Sequence, residues 1–196
     1  MGTKRPSDDE RTFGKKKPAS PWALGLLESM KDPKLFVEDD EHVVVIRDKY
    51  PKAEYHYLVL PKEDIPTMDR LTNSHLNLLK HIQEVGERLA SVNSQRTFKL
   101  GYHAVPSMSH IHLHVISDDF NSPWLKTKKH WNSFTTEYFV PSESVISQVE
   151  KYKKFAPASK EKSKLLLEKP LACHKCSFLP GNMPKLKSHL LTHLKK

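Results

Sequence analysis

Apolar residues recur along this chain with two periods that alternate. Trp22–Met30 (WALGLLESM) reads as a short helix that stops before Asp32-Pro33, because the residue before a proline is pushed out of the helical region. Leu35–Val37, His42–Arg47 and Tyr55–Leu60 read as strands. The second holds the β-branched run Val43-Val44-Val45-Ile46, the turn Asp48-Lys49-Tyr50-Pro51 follows it, and Pro61 stops the third. Leu71, Leu78, Ile82, Val85 and Leu89 then fall at helical spacing and predict an amphipathic helix over about 68–92. Phe98–Ala104 and Ile111–Ser117 return to the strand period. Strands, one long helix, then strands again predict an α+β fold with a mostly antiparallel sheet.

No apolar run approaches the roughly 20 residues of a membrane span, so no membrane partner is expected. Met1-Gly2-Thr3-Lys4-Arg5 opens no apolar stretch, which predicts no signal peptide, and Pro6 spoils a myristoylation match. Cys173 and Cys176 lie too close together for a disulfide framework. The 196 residues, 37% hydrophobic and 28% charged, suit one globular domain with a small appendage.

Charge separates the two ends. The formal net charge is +9, yet residues 151–196 alone carry twelve lysines and two acids, so residues 1–150 are near neutral. A neutral body followed by a basic tail suits a polyanion, nucleic acid above all; a solvated tail kept for solubility is the plainer reading. Residues 1–20 are polar and predicted to be a disordered basic tail. In it, Lys4-Arg5 and Lys15-Lys16-Lys17 flank a nine-residue gap in the manner of a two-part nuclear import signal.

His110-Ile111-His112-Leu113-His114-Val115-Ile116 carries the chemistry. Strand side chains alternate faces, so His110, His112 and His114 would share one face while Ile111, Leu113 and Val115 pack on a core. Three imidazoles on one face could be a merely polar surface, a three-histidine metal site, or a nucleophile with charge-holding neighbours acting at phosphorus. For a metal, successive strand-mates make a poor tetrahedral set, and no acid lies close by in sequence.

The alternation His-φ-His-φ-His-φ-φ resembles the signature of the histidine-triad nucleotide hydrolases and transferases. Asp48 and His56 in DKYPKAEYHYLVLPKEDI resemble that family's ribose-binding acid and upstream histidine, and Ser107 matches a phosphate-binding position. The stretch Gly101–Phe139 is similar to the branch of the family that removes AMP from DNA ends. The resemblance covers about residues 22–196. It implies a histidine-triad fold over 21–150 and a two-step reaction. His112 would attack the α-phosphorus of an adenylate, a covalent histidyl–AMP would form, and water would then release AMP and leave a 5′-phosphate on the DNA. His110 and His114 would position the nucleophile and bond the phosphoryl oxygens, His103 would lie in the phosphate site, and His56 would contact the leaving group. Asp48, Lys52, Ser107 and Trp22 would bind substrate. In that branch the first helix wedges against the terminal base pair, so Trp22 is a candidate to stack on a base, or to pack on the core. Such proteins commonly begin with a forkhead-associated domain; nothing here resembles one, so recruitment through it is not carried over. Glu54 stands where a basic residue is expected. His42, His75, His81 and His130 read as structural.

Cys173-x2-Cys176-x12-His189-x3-His193 has the spacing of a Cys2His2 zinc finger. Residues 170–196 are therefore expected to form a ββα-like finger holding one structural zinc, joined by a lysine-rich connection over 151–169, with no catalytic metal. The finger has five lysines and no acid, which suits a grip on phosphates. The expectation is a monomeric nuclear enzyme, in nucleoplasm or nucleolus, acting on adenylated DNA through finger and tail. A general hydrolase of small AMP conjugates and a nucleic-acid-binding finger protein without turnover are the alternatives.

Overall fold

The strands predicted from the apolar pattern pair into one sheet, and both of its faces are covered. The computed structural model describes residues 25–106 and 108–194. Strands β1 (Phe36–Asp39), β2 (Val43–Arg47), β3 (His56–Pro61), β4 (Phe98–His103), β5 (Leu113–Ser117) and β6 (Phe139–Pro141) lie in the order β1-β2-β3-β5-β4-β6. Every neighbouring pair is antiparallel. The α-helices are α1 (Gly25–Ser29), α2 (Leu76–Val92), α3 (Lys128–Thr135), α4 (Ser142–Tyr152), α5 (Lys160–Glu168) and α6 (Met183–Leu190). Trp22, Ser107 and the 1–20 tail lie outside the described residues.

On one face, Val43, Val45, Tyr57, Val59, Leu113 and Val115 pack with Leu79, Ile82, Val85 and Leu89 of α2. Gly86 permits this approach, since a Cβ there would stand 2.9 Å from Leu113 Cδ2 and 3.0 Å from Leu100 Cδ2. On the other face, Val44, Ile46, Leu58 and Leu60 meet Leu26 of α1. Burial on both sides explains why Val43–Ile46 has no polar alternate.

The helix predicted over 68–92 is α-helical only from Leu76. Met68–Arg70 and Asn73–His75 are separate 3-10 turns, with Leu71 and Thr72 extended between them. The Leu71 carbonyl accepts from the Phe155 amide, and Thr72 bridges to Lys154, so tertiary pairing overrides the helical period here. Residues 151–169 are more than a connection. They contain α5, whose end is held by the Asn132 side-chain amide donating to the carbonyls of Leu167 (3.0 Å) and Lys169 (2.8 Å).

The finger departs from the ββα expectation. Among its described residues no strand forms; a turn closed by the Cys173 amide on the Phe178 carbonyl (2.9 Å) leads into α6, capped by the Asn182 side chain. Nor does it bury a core of its own. Leu171, Cys173, Leu186 and Leu190 join Phe120, Leu125, Trp131 and Phe134 in one apolar layer. The Trp131 indole N–H donates to the Ala172 carbonyl at 3.0 Å. The His174 ring wedges against Phe120 and Trp131 while its Nε2 meets the Asp118 carbonyl at 2.8 Å.

Candidate active site and metal centre

The face of the sheet under α1 and α3 carries the histidines. His56 of β3, His103 of β4 and His114 of β5 project to the same side, because Leu58 pairs with His114 and Gly101 with His114 across the ladder. Phe134 of α3 backs all three rings, with centroids 5.4 Å from His56, 4.7 Å from His103 and 5.2 Å from His114. His112, His114, His103 and His56 line a cavity of about 1000 Å³.

His110 does not share that face. β5 begins only at Leu113, and His110 takes φ 80°, so the strand alternation expected over 110–114 breaks at its first member. Its amide donates to the Pro66 carbonyl and its ring Nε2 to the Pro61 carbonyl at 2.7 Å. Those two carbonyls turn the side chain away from the cavity. What His110 offers the site is its own carbonyl, 2.9 Å from His112 Nδ1. A carbonyl only accepts, so Nδ1 carries the proton and the His112 Nε2 lone pair is free.

A second chain of bonds fixes His114. The Lys52 amide donates to His56 Nδ1 (3.2 Å), which leaves the proton of neutral His56 on Nε2. His56 Nε2 lies 2.9 Å from His114 Nδ1, so His114 keeps its proton on Nε2, buried and without a protein partner. His103 Nε2 is likewise buried and unpartnered. Burial disfavours charge on all four rings: His56 is lowered to about 4, His112 below the ordinary imidazole value, and His103 and His114 well below it. Asp48 opposes the shift at His56 and His112. Burial keeps the set neutral at pH 7, with the His112 Nε2 lone pair free and the Nε2 atoms of His114 and His103 without protein partners.

The cavity lining is mixed: Leu26, Ile46, Leu58 and Met108 are apolar, and Lys49, Lys52, Lys126 and Lys129 are basic. Asp48 lines it too, with Oδ1 accepting from the Tyr50 amide at 2.7 Å and Oδ2 3.5 Å from His56 Nδ1. The sequence reading missed Tyr50, Trp124, Phe134 and Tyr138 as lining residues, and it misplaced His130. His130 Nδ1 accepts from the Lys126 amide at 3.3 Å and its ring lines the cavity, where the sequence reading took it as structural. His42, His75 and His81 stay outside; His81 pairs with Asp40 at 2.7 Å. Glu54, the acid in place of a base, is answered from another element by Arg96 at 2.6 Å and does not line the cavity.

Among the described residues, two groups of donors could hold a metal. Cys173, Cys176, His189 and His193 bring their ligand atoms within 4.8 Å of one another. Sulfur–nitrogen separations of 3.4 Å (Cys173–His193) and 3.2 Å (Cys176–His189) and a nitrogen–nitrogen separation of 3.1 Å are close to the edges of a zinc tetrahedron. Those edges are about 3.5 Å and about 3.3 Å for ordinary Zn–S and Zn–N bonds. The set fits zinc. Asp48, His56 and His114 are also close together, but His56 Nε2 and His114 Nδ1 are bonded to each other and not turned to a common centre. Of the finger's lysines, Lys175 pairs with Asp118 at 3.0 Å and Lys187 donates to the Ser122 carbonyl at 2.9 Å. These two hold the finger to the body and are not free for phosphates.

Residues 21–130 match the family described as scavenger mRNA decapping enzyme C-term binding, and residues 135–196 match the C2HE / C2H2 / C2HC zinc-binding finger. Aprataxin of Danio rerio is 52% identical over 92% of this chain and 56% of its own length. An aprataxin-like protein of Saccharomyces cerevisiae is 32% identical over 61% of this chain and 72% of its own. Among solved structures, the aprataxin ortholog Hnt3 in complex with DNA superposes with a TM-score of 0.61 at 27% identity, covering 85% of this chain and 90% of that one. The chain thus spans little more than half of the Danio rerio relative but most of the Saccharomyces cerevisiae and Hnt3 ones. Since the likeness runs through both the histidine cavity and the finger, the chain belongs to the aprataxin family.

Proposed function

We propose that this protein removes AMP from adenylated DNA 5′ ends and restores the 5′-phosphate. The observation that carries the reading is the His112–His110 bond, which leaves a free Nε2 lone pair on a ring that lines a cavity with both apolar and basic side chains. The adenosine of an adenylate suits the apolar side chains of the lining, with Asp48 at the ribose. The polyanionic leaving strand suits Lys49, Lys126 and Lys129. The solved DNA complex of the Hnt3 relative supports this choice of substrate.

In the first step His112 Nε2 forms a bond to the α-phosphorus. The bond from phosphorus to the bridging oxygen breaks, and its electron pair leaves on the DNA 5′-phosphate. A phosphate with a second pKa near 6 departs without a strong acid. The His114 Nε2–H, oriented by His56, donates to the phosphoryl oxygens as charge builds on them. His56 therefore acts through His114 rather than on the leaving group directly. In the second step water attacks phosphorus and gives up one proton to solvent, the N–P bond breaks with its electron pair returning to His112 Nε2, and AMP leaves. A zinc at the finger would contribute no step; it would tie four side chains of the terminal module together. A monomer working in the nucleus completes the proposal.

The test uses a nicked duplex labelled on the α-phosphate of its adenylate, with the reaction stopped in alkaline denaturant. Label is expected on His112. AMP release with no labelled protein, or label on a different histidine, would overturn the mechanism.

A further inference from the structure

Phe134 backs three buried histidines, and a cation outside the cavity holds the turn that carries it. The Phe134 carbonyl lies in the last turn of α3, where an α-helix leaves its carbonyls without intrahelical partners. The chain then turns off: the Thr136 amide goes to the Asn132 carbonyl at 3.2 Å and the Tyr138 amide to the Thr136 hydroxyl at 3.3 Å. The Phe134 carbonyl accepts instead from Lys99 Nζ of β4. Side chains of a strand alternate, so Lys99, Gly101 and His103 face the same side of the sheet.

This is an unusual place for a lysine. Lys99 is half-buried, and burial pushes its ammonium below the ordinary lysine value, against the opposing pull of Asp118. Its Nζ also stands 5.1 Å from the ring centroid of Phe139. Phe139 lies close on β4, since a Cβ on Gly101 would stand 2.6 Å from its Cε1. Its centroid is 5.7 Å from that of Phe134, 6.2 Å from His103 and 6.4 Å from His114. One ammonium thus anchors the backbone of Phe134 and the ring of Phe139, two aromatic residues packed behind His103 and His114. Lys99 itself does not line the cavity, while α3 lines it with Lys129, His130, Ser133 and Phe134.

We propose that Lys99 is a positioning residue for the reaction: by holding the last turn of α3 to the sheet it keeps Phe134 against His56, His103 and His114, and so keeps His114 in one ring orientation and one tautomer. The inference rests on the histidine mechanism proposed above. The His114 ring meets Phe134 with planes at 88° and meets His103 at a centroid distance of 4.3 Å. A ring packed in this way does not flip freely. With the last turn of α3 released, the His114 ring would turn, water would compete for its bond to His56, and its proton would be shared between both nitrogens. The donor that should meet the phosphoryl oxygens would then be present only part of the time.

The experiment compares the full chain with its Lys99→Met and Lys99→Arg variants, each assayed on AMP-lysine well below its own Tm. Lys99→Met should lower kcat by about 10- to 100-fold, as for a small misplacement of a reacting group, and leave KM within about twofold. Lys99→Arg, which keeps a charge and N–H donors for the carbonyl, should restore most of the loss. Long-range nitrogen–proton NMR of the histidine rings, without substrate, should show His114 as a single Nε2–H tautomer in the wild type and in Lys99→Arg, and as an average of two in Lys99→Met. Should Lys99→Met not fold, Lys99→Gln, which is too short to keep the same hold, takes its place with the same expectations. A kcat at the wild-type level, a lowered kcat with the His114 tautomer unchanged, or a Lys99→Arg as slow as Lys99→Met would overturn the assignment. A wild type that releases AMP from neither AMP-lysine nor an adenylated nick would instead overturn the reading of the function, and the NMR comparison would still decide what Lys99 does to His114.

Discussion

His56 Nε2 and His114 Nδ1 lie 2.9 Å apart, and with the Lys52 amide on the far side of the His56 ring they fix which nitrogen of His114 faces the cavity. Removing His56 frees the His114 ring to rotate and to place its proton on either nitrogen. His56→Ala should reduce kcat by roughly 10- to 100-fold, the worth of one hydrogen bond at a charge-bearing centre. KM on AMP-lysine should change little. Steady-state kinetics on that conjugate check this; a rise in KM with kcat intact would put His56 in substrate binding instead.

His112→Ala removes the one lone pair that its neighbours aim at phosphorus. Turnover should fall by at least about three orders of magnitude, as for removal of other covalent nucleophiles. Binding to a nicked duplex, measured by fluorescence anisotropy, should persist, because Lys49, Lys126 and Lys129 are untouched. Turnover within tenfold of wild type would exclude His112 as the nucleophile.

Acid should destabilise the fold through the same histidines. In the unfolded chain His56 titrates near 6.5; folded, burial lowers it to about 4. Between those values the unfolded chain takes a proton that the folded one refuses. Stability is therefore full above pH 6.5 and lost as pH falls toward 4, by roughly 3 kcal/mol for His56 alone. His103, His112 and His114 shift in the same direction for the same cause. Urea midpoints followed from pH 7.5 to 4.5 should fall steadily. A flat profile would mean that water reaches these rings.

Chelation should harm turnover on small and large substrates alike. Leu186 and Leu190 of the finger lie in the apolar layer that includes Trp131 and Phe134, and Phe134 backs three of the catalytic-face histidines. Cys176→Ser, or a strong zinc chelator, should lower Tm and reduce kcat/KM on AMP-lysine and on an adenylated nick by similar factors. A selective loss on DNA, with Tm unchanged, would show that the finger works as a detached grip.

The alternation of Ile111, Leu113 and Val115 against the histidines was legible in the sequence, because a strand buried on its apolar face must keep period two. So was the ligand spacing of Cys173, Cys176, His189 and His193. The turn of His110 was not, since two carbonyls from the β3 exit, at Pro61 and Pro66, take its ring and its amide. Helix α3 escaped notice because its eight residues, Lys128–Thr135, bury Trp131 and Phe134 but also Asn132 and Ser133, which blurs any apolar stripe. Tyr50 and Trp124 are far apart in sequence, and tertiary contacts such as Ser122 bonding to Pro51 and the Glu54 amide bonding to Asp119 bring their loops together. The finger's missing hairpin follows the same logic: Phe178 lies over His189, with ring centroids 4.2 Å apart, and a neighbouring domain supplies the core that the hairpin would have closed.

That the Trp131 indole reaches the Ala172 carbonyl across a shared layer places the metal in the economy of protein survival. With zinc as the finger's ion, its loss is expected to leave partly unravelled chains open to proteases rather than an intact body with a loosened finger.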